Sequence, residues 1–208
     1  MTTKRDVQVK ETGINGGRFL NVYILTALLI CAGLLAAELS MKNLDLARTV
    51  YTIWVTTLLL APALGFFLFR HATRAAYEYW ILYWTFAYLA YLVHFYWAVF
   101  VIFGSPAQAF IGQGAFIAST NFLLTFLWGV DVVLAQIIRG EPKWLLTIRI
   151  AAHLLVFVAF AATALFLKDG VIRIIGGFMT GTVLLCALVR LLAWERVAPT
   201  PGEIQAQT

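Results

Sequence analysis

The chain has 208 residues, of which 62% are hydrophobic and only 12% are charged, and its mean hydropathy is +0.87. Soluble domains are about 45–50% apolar and about 25% charged, so this composition excludes an ordinary soluble fold of this length. The net charge of +5 comes from single Lys and Arg residues between apolar runs. That scatter argues against a nucleic-acid interface and favours topological signals.

Six apolar runs are each long enough to cross a bilayer, which takes about 20 residues. They cover residues 19–39, 50–69, 79–103, 109–138, 144–167 and 171–194. The first run is longer than a signal-peptide core and is interpreted as a retained span. The fourth is longer than a span needs, which predicts tilt or a start in the membrane interface. The prediction is an all-α integral membrane bundle of about six transmembrane helices.

The polar segments complete the predicted organisation. Residues 1–18 form a cytoplasmic leader, residues 19–196 the transmembrane domain, and residues 197–208 a disordered cytoplasmic tail. With the N-terminus inside, the inner segments hold eleven basic residues and the outer segments hold four. This bias predicts an N-in, C-in multi-pass protein of the plasma membrane, or of the inner membrane if the source is bacterial. The inner residues are Lys4, Arg5, Lys10, Arg18, Arg70, Arg74, Arg139, Lys143, Arg149, Arg190 and Arg196, and the outer ones Lys42, Arg48, Lys168 and Arg173.

Two opposite charges flank the turn between the fourth and fifth runs. Asp131 lies nine residues before Gly140, and Arg149 lies nine residues after it. An antiparallel hairpin places them at similar depth, so they are predicted to form a structural ion pair that lowers the cost of burying both charges. Two alternatives are a proton-relay or substrate-binding role, and separate extension of each side chain to the cytoplasmic interface.

The third run is unusually aromatic, with 13 aromatic residues in the 27 positions from 77 to 103. It also holds His94, whose helical face carries the small residues Ala87, Ala90 and Ala98. This face predicts a site for a flat hydrophobic ligand such as a quinone, haem, carotenoid or sterol-like lipid. The predicted lining is His94, Tyr88, Tyr91 and Trp97. The alternative is packing, with the fourth helix filling the groove and Asn121 bonding the imidazole.

A second intramembrane histidine, His153, raises the possibility of a b-type haem held by His94 and His153. Depth argues against this pair. Counted from the starts of their runs, the two histidines differ by roughly 9 Å at ~1.5 Å per residue, whereas two axial ligands lie nearly level. Helix tilt would reduce this gap, so a haem b at His94 and His153 stays open as an alternative, as does a quinone as cofactor.

The sequence favours a non-catalytic accessory subunit or a hydrophobic-ligand binder, because it offers no catalytic constellation and no metal cluster. The alternatives are a membrane cytochrome or quinone-linked redox component, a small transporter or channel, and an intramembrane enzyme. The expected partners are the lipid bilayer and other membrane subunits or further copies of the chain. Gly177-x-x-x-Gly181 in the sixth run permits close helix approach.

Overall fold

A computed structural model describes residues 13–40, 43–138 and 141–193. Within these residues the predicted all-α class is confirmed, with seven α-helices in chain order. They are α1 (Gly16–Leu39), α2 (Leu44–Phe69), α3 (Arg74–Tyr96), α4 (Pro106–Gln113), α5 (Ala115–Ile137), α6 (Lys143–Ala162) and α7 (Val171–Leu192). Most of the predicted leader, residues 1–12, and the whole predicted tail, 197–208, lie outside the described residues.

Six helical segments are long and apolar enough to cross a membrane, which fits a multi-pass protein. α3 continues in π-helical form to Ile102, and α6 continues in the same way to Leu167. The fourth apolar run differs from the single helix predicted, because it is divided at Gly114 into α4 and α5. Gly114 has a φ of +82°, a conformation that glycine adopts without steric cost and that is not helical, so the helix is interrupted there.

Side chains at the helix starts explain why several helices begin where they do. Asn15, Asn43, Thr73 and Ser105 each accept a hydrogen bond from the backbone N–H three residues on, at 3.0–3.2 Å. Such N-caps satisfy one of the backbone donors that a helix start leaves free. Pro106 follows Ser105 at the first helical position, where a missing N–H costs nothing.

α2 is the central helix and packs against α1, α3, α6 and α7. Its core side chains include Leu59 and Leu60, which are at most 1% exposed. Its four buried threonines donate hydrogen bonds to carbonyls of the preceding turn of the same helix, so their polar atoms are satisfied inside the bundle. α2 also contains Pro62 but is continuous from Leu44 to Phe69.

Candidate functional site

The charged pair expected from the fourth turn lies in the bundle interior. Asp131 on α5 and Arg149 on α6 are both 0% exposed, and Arg149 Nε lies 3.5 Å from Asp131 Oδ1. Asp131 Oδ2 also accepts a 2.9 Å hydrogen bond from the indole Nε1 of Trp84 on α3. Three helices therefore meet at one carboxylate. Buried charges of opposite sign at this distance offset part of each other's desolvation cost.

Glu141, in the turn between α5 and α6, extends this pair into a larger ionic cluster. Its carboxylate accepts two hydrogen bonds from Arg70, at 3.0 and 3.1 Å, and one from Arg149 Nη1 at 2.8 Å. The Nε2 atom of His71 lies 3.0 Å from the same carboxylate. Arg70 and His71 belong to the turn between α2 and α3. One carboxylate thus joins two separate turns of the bundle.

The ionisation of Glu141 follows from these neighbours. Burial by itself raises the pKa of the Glu141 carboxyl, but hydrogen bonds from Arg70 and Arg149 and the positive charge of Arg70 outweigh it and lower the pKa to about 2. Glu141 is therefore a carboxylate at every physiological pH. Mild acid therefore does not remove the negative charge on which its contacts with Arg70 and Arg149 depend.

His153 lies one turn after Arg149 and is enclosed on all sides. Its Nδ1 lies 2.8 Å from the Arg149 carbonyl oxygen, and its Nε2 lies 2.9 Å from the indole N–H of Trp80. The rings of Phe67 and Trp84 both stack against the imidazole ring, each with its ring centroid 3.8 Å from that of His153. An indole donates to a lone pair, so Nε2 is the acceptor and Nδ1 carries the proton. With both nitrogens engaged, His153 does not fit axial ligation of a haem iron.

A second buried carboxylate, Glu78 near the start of α3, holds the beginning of α1. It accepts hydrogen bonds from the Asn15 backbone N–H at 3.0 Å and from Arg18 and Arg74 at 2.7 Å each. The start of α1, the α2–α3 turn and the α5–α6 turn therefore lie at one end of the bundle, here called the ionic end. Glu78 is only 4% exposed.

The structure places His94 against α2 instead of beside α5. Its Nδ1 lies 2.8 Å from the carbonyl oxygen of Thr49. Asn121, the expected partner on the fourth run, instead donates to Gln113 at 2.9 Å. Ala87 and Ala90 are at most 1% exposed, so the alanine face is filled by neighbouring side chains. The reason is rotational: α3 presents this face to the central helix.

An open groove of about 590 Å³ lies on another side of α3, between α3 and α5. Tyr88 is the predicted ligand-binding residue found among its described lining; His94, Tyr91 and Trp97 lie elsewhere. The lining of this α3–α5 groove is Tyr88, Phe95, Phe122, Thr125, Phe126, Gly129, Val130, Val133 and Leu134. The seven residues from α5 follow one another at alternating steps of three and one, the i, i+3, i+4 pattern of one helix face, so they form one continuous stripe of that helix.

The hydroxyl groups that line the groove, those of Tyr88 and Thr125, form hydrogen bonds within the protein. The Tyr88 hydroxyl donates to the Thr125 carbonyl oxygen at 3.2 Å, and the Tyr91 hydroxyl lies 3.1 Å from Thr125 Oγ1. Thr125 Oγ1 in turn donates to the Asn121 carbonyl oxygen at 2.7 Å. Gly129 leaves space for the Tyr88 hydroxyl, because a Cβ at that position would overlap it. The groove surface is therefore apolar in effect.

Sequence reasoning missed Glu141, Arg70 and Glu78 as site residues. Glu141 stands in an Arg-Gly-Glu-Pro turn, whose composition is that of an ordinary surface loop. Arg70 and Glu78 stand near helix ends, where charged residues are common. A usable signal was the presence of both charge signs beside each inner turn.

Comparison with known proteins gives no assignment: no protein family, no curated protein and no solved structure matches the chain significantly.

Proposed function

We propose that this chain is an integral membrane protein, with both termini in the cytoplasm, that binds an apolar chain-shaped ligand in the α3–α5 groove and does no chemistry on it. The observation that carries the proposal is a continuous apolar stripe of α5 beside α3 that no other helix of the described bundle fills. Its volume of about 590 Å³ falls in the range of small-molecule sites.

The shape of the groove favours a long ligand over a flat one. The stripe runs from Phe122 to Leu134, which is ~18 Å along a helix at ~1.5 Å per residue. Phe126 and Val133 on this stripe are 69% and 53% exposed, so a ligand would enter sideways from the lipid. These dimensions suit an acyl or isoprenoid chain better than a haem or another ring system.

The chemistry of the groove supports the same class of ligand. Its hydroxyl groups already bond within the protein, so a ligand without polar groups along its length leaves no donor or acceptor unpaired. At the end of the stripe nearest the ionic end, Gln136 donates to Thr85 at 3.1 Å. This exposed polar pair suits the head group of a single-chain amphiphile.

The groove is tested by filling it. Val133→Trp places an indole in the α3–α5 groove, whereas Val158→Trp places one on α6, at a valine of equal exposure outside the groove (52% against 53%). The probe is cis-parinaric acid, a linear fluorescent fatty acid, titrated into detergent-purified protein. We expect saturable binding to the wild type, at least a tenfold weaker Kd for Val133→Trp, and no change for Val158→Trp. Equal affinities of the two variants would contradict the proposal.

The proposed topology rests on the eleven-to-four charge bias, and the clustering of Arg18, Arg70 and Arg74 at the ionic end supports it. A fluorescent protein fused after Thr208 should be fluorescent in cells, because it folds in the cytoplasm. Alkaline phosphatase inserted at Ser105 should be active, because that enzyme needs the outer compartment. An inactive phosphatase at Ser105, with normal expression, would refute the six-span arrangement.

A further inference from the structure

We propose that Arg70, His71 and Arg149 form a binding site for a free oxyanion, a carboxylate or a phosphate, and that Glu141 is a tethered carboxylate that occupies it. The site is independent of the α3–α5 groove, since no residue is shared between them.

The geometry around Glu141 is that of a ligand in a receptor. Arg70 contacts it through Nε and Nη2, one to each carboxylate oxygen, which is the bidentate arrangement by which arginine recognises carboxylates and phosphates. Arg149 and His71 approach the same two oxygens from other directions. Three basic side chains from two parts of the chain thus converge on a single carboxylate.

The proposed oxyanion site also has a hydrogen-bond donor that Glu141 does not use. Arg149 is 0% exposed; its Nε faces Asp131 Oδ1 at 3.5 Å, but its Nη2 has no hydrogen-bond acceptor among the described residues. A buried donor without an acceptor is costly, so a ligand with more oxygens than a carboxylate gains a contact that Glu141 does not supply. Phosphate has that additional oxygen.

Access is available from the ionic end. The side chain of His71 is 58% exposed, and that of Glu141 is 14% exposed. Glu141 lies just before the first residue of α6, so its backbone is not part of a helix. Because the pKa of Glu141 is lowered to about 2, the tethered carboxylate stays charged at physiological pH, and a competing anion has to displace it.

Chemical rescue of Glu141→Ala tests the site in full-length, detergent-purified protein. Removing the tethered carboxylate should lower the unfolding temperature, followed by tryptophan fluorescence. Sodium acetate or inorganic phosphate should then raise it saturably, by roughly 5–10 °C at about 100 times Kd. Sodium chloride at equal ionic strength should not. The wild type, whose site is occupied, should shift much less.

Two control variants separate a specific site from a general salt effect. Glu38→Ala removes a half-exposed carboxylate that pairs with Arg48 alone among the arginines described, and it should show no anion-specific rescue. Adding Arg70→Ala to Glu141→Ala should abolish the rescue. Equal responses of Glu38→Ala and Glu141→Ala to acetate would overturn the proposal, as would no response of Glu141→Ala to any of the oxyanions.

Repeating the measurement in lipid vesicles distinguishes a soluble oxyanion from the head group of a lipid. Rescue by acetate or phosphate in detergent indicates a soluble ligand, whereas rescue only in phosphatidylglycerol vesicles, and not in phosphatidylcholine vesicles, indicates a lipid head group. If Glu141→Ala yields no folded protein in any buffer, Glu141→Gln replaces it in the test, because glutamine keeps the side-chain volume and removes the charge. Phosphate should then stabilise Glu141→Gln more than the wild type, and equal shifts refute the site.

Discussion

Asp131→Asn is expected to destabilise the protein strongly, by about 3–5 kcal/mol, because it leaves the fully buried Arg149 without its facing charge. Asparagine keeps the size of the side chain and an oxygen that can accept from the Trp84 indole, so the loss reports the charge and not the packing. The measurement is the free energy of unfolding in mixed detergent micelles. Asp45→Asn is the matched control, because Asp45 is half-exposed and its contact with Arg48 is long, at 3.8 Å. This substitution should change the free energy of unfolding by less than about 0.5 kcal/mol.

A double-mutant cycle isolates the pair itself. Arg149→Met alone should also be costly, because it strands Asp131 and removes one donor to Glu141. Removing both charges together should cost less than the sum of the single losses, since the double variant has no stranded charge. Losses that simply add would show that Asp131 and Arg149 do not stabilise each other.

Gly176→Ala is expected to have the second large effect, a loss of about 1–3 kcal/mol from overpacking. Gly176 lies where α7 crosses the end of the α6 segment, and a Cβ there would overlap the Cβ of Ala164 and lie 3.5 Å from its Cα. The obstacle is the Ala164 Cβ, which cannot rotate away, so one helix has to move away from the other. Thermal unfolding, followed by circular dichroism, measures the loss.

The neighbouring glycine provides the control. A Cβ on Gly177 meets nothing closer than Leu165 Cδ2 at 4.0 Å, so Gly177→Ala fits without displacement. Replacing an interior helical glycine by alanine gains roughly 0.5–1 kcal/mol of helix propensity, and Gly177→Ala should therefore be neutral or stabilising. If the two variants are destabilised equally, the close contact at Gly176 does not exist.

These glycines show what a sequence pattern can and cannot predict about a helix contact. The spacing Gly177-x-x-x-Gly181 predicts a close helix contact, yet within the described residues a Cβ on Gly181 has nothing within 4 Å, and the tight contact is at Gly176. The pattern correctly indicates that α7 has a glycine-rich region. It does not say which of two adjacent glycines faces the neighbouring helix, because they differ by about 100° around the helix axis.

The sequence by itself determined the number and approximate limits of the long apolar helices, because hydropathy and length are local properties. It also indicated that Asp131 and Arg149 stand at similar depth, since equal distances from a short turn fix height along two antiparallel helices. Only the tertiary structure decided what each helix face meets. It turned His94 toward Thr49, brought Arg70 and Glu141 together across 71 positions of sequence, and left the α5 stripe open beside Tyr88. The rotation of a helix about its axis depends on the packing of all its neighbours at once. Because these helices are apolar on all sides, their sequences contain no local pattern that indicates which face is buried.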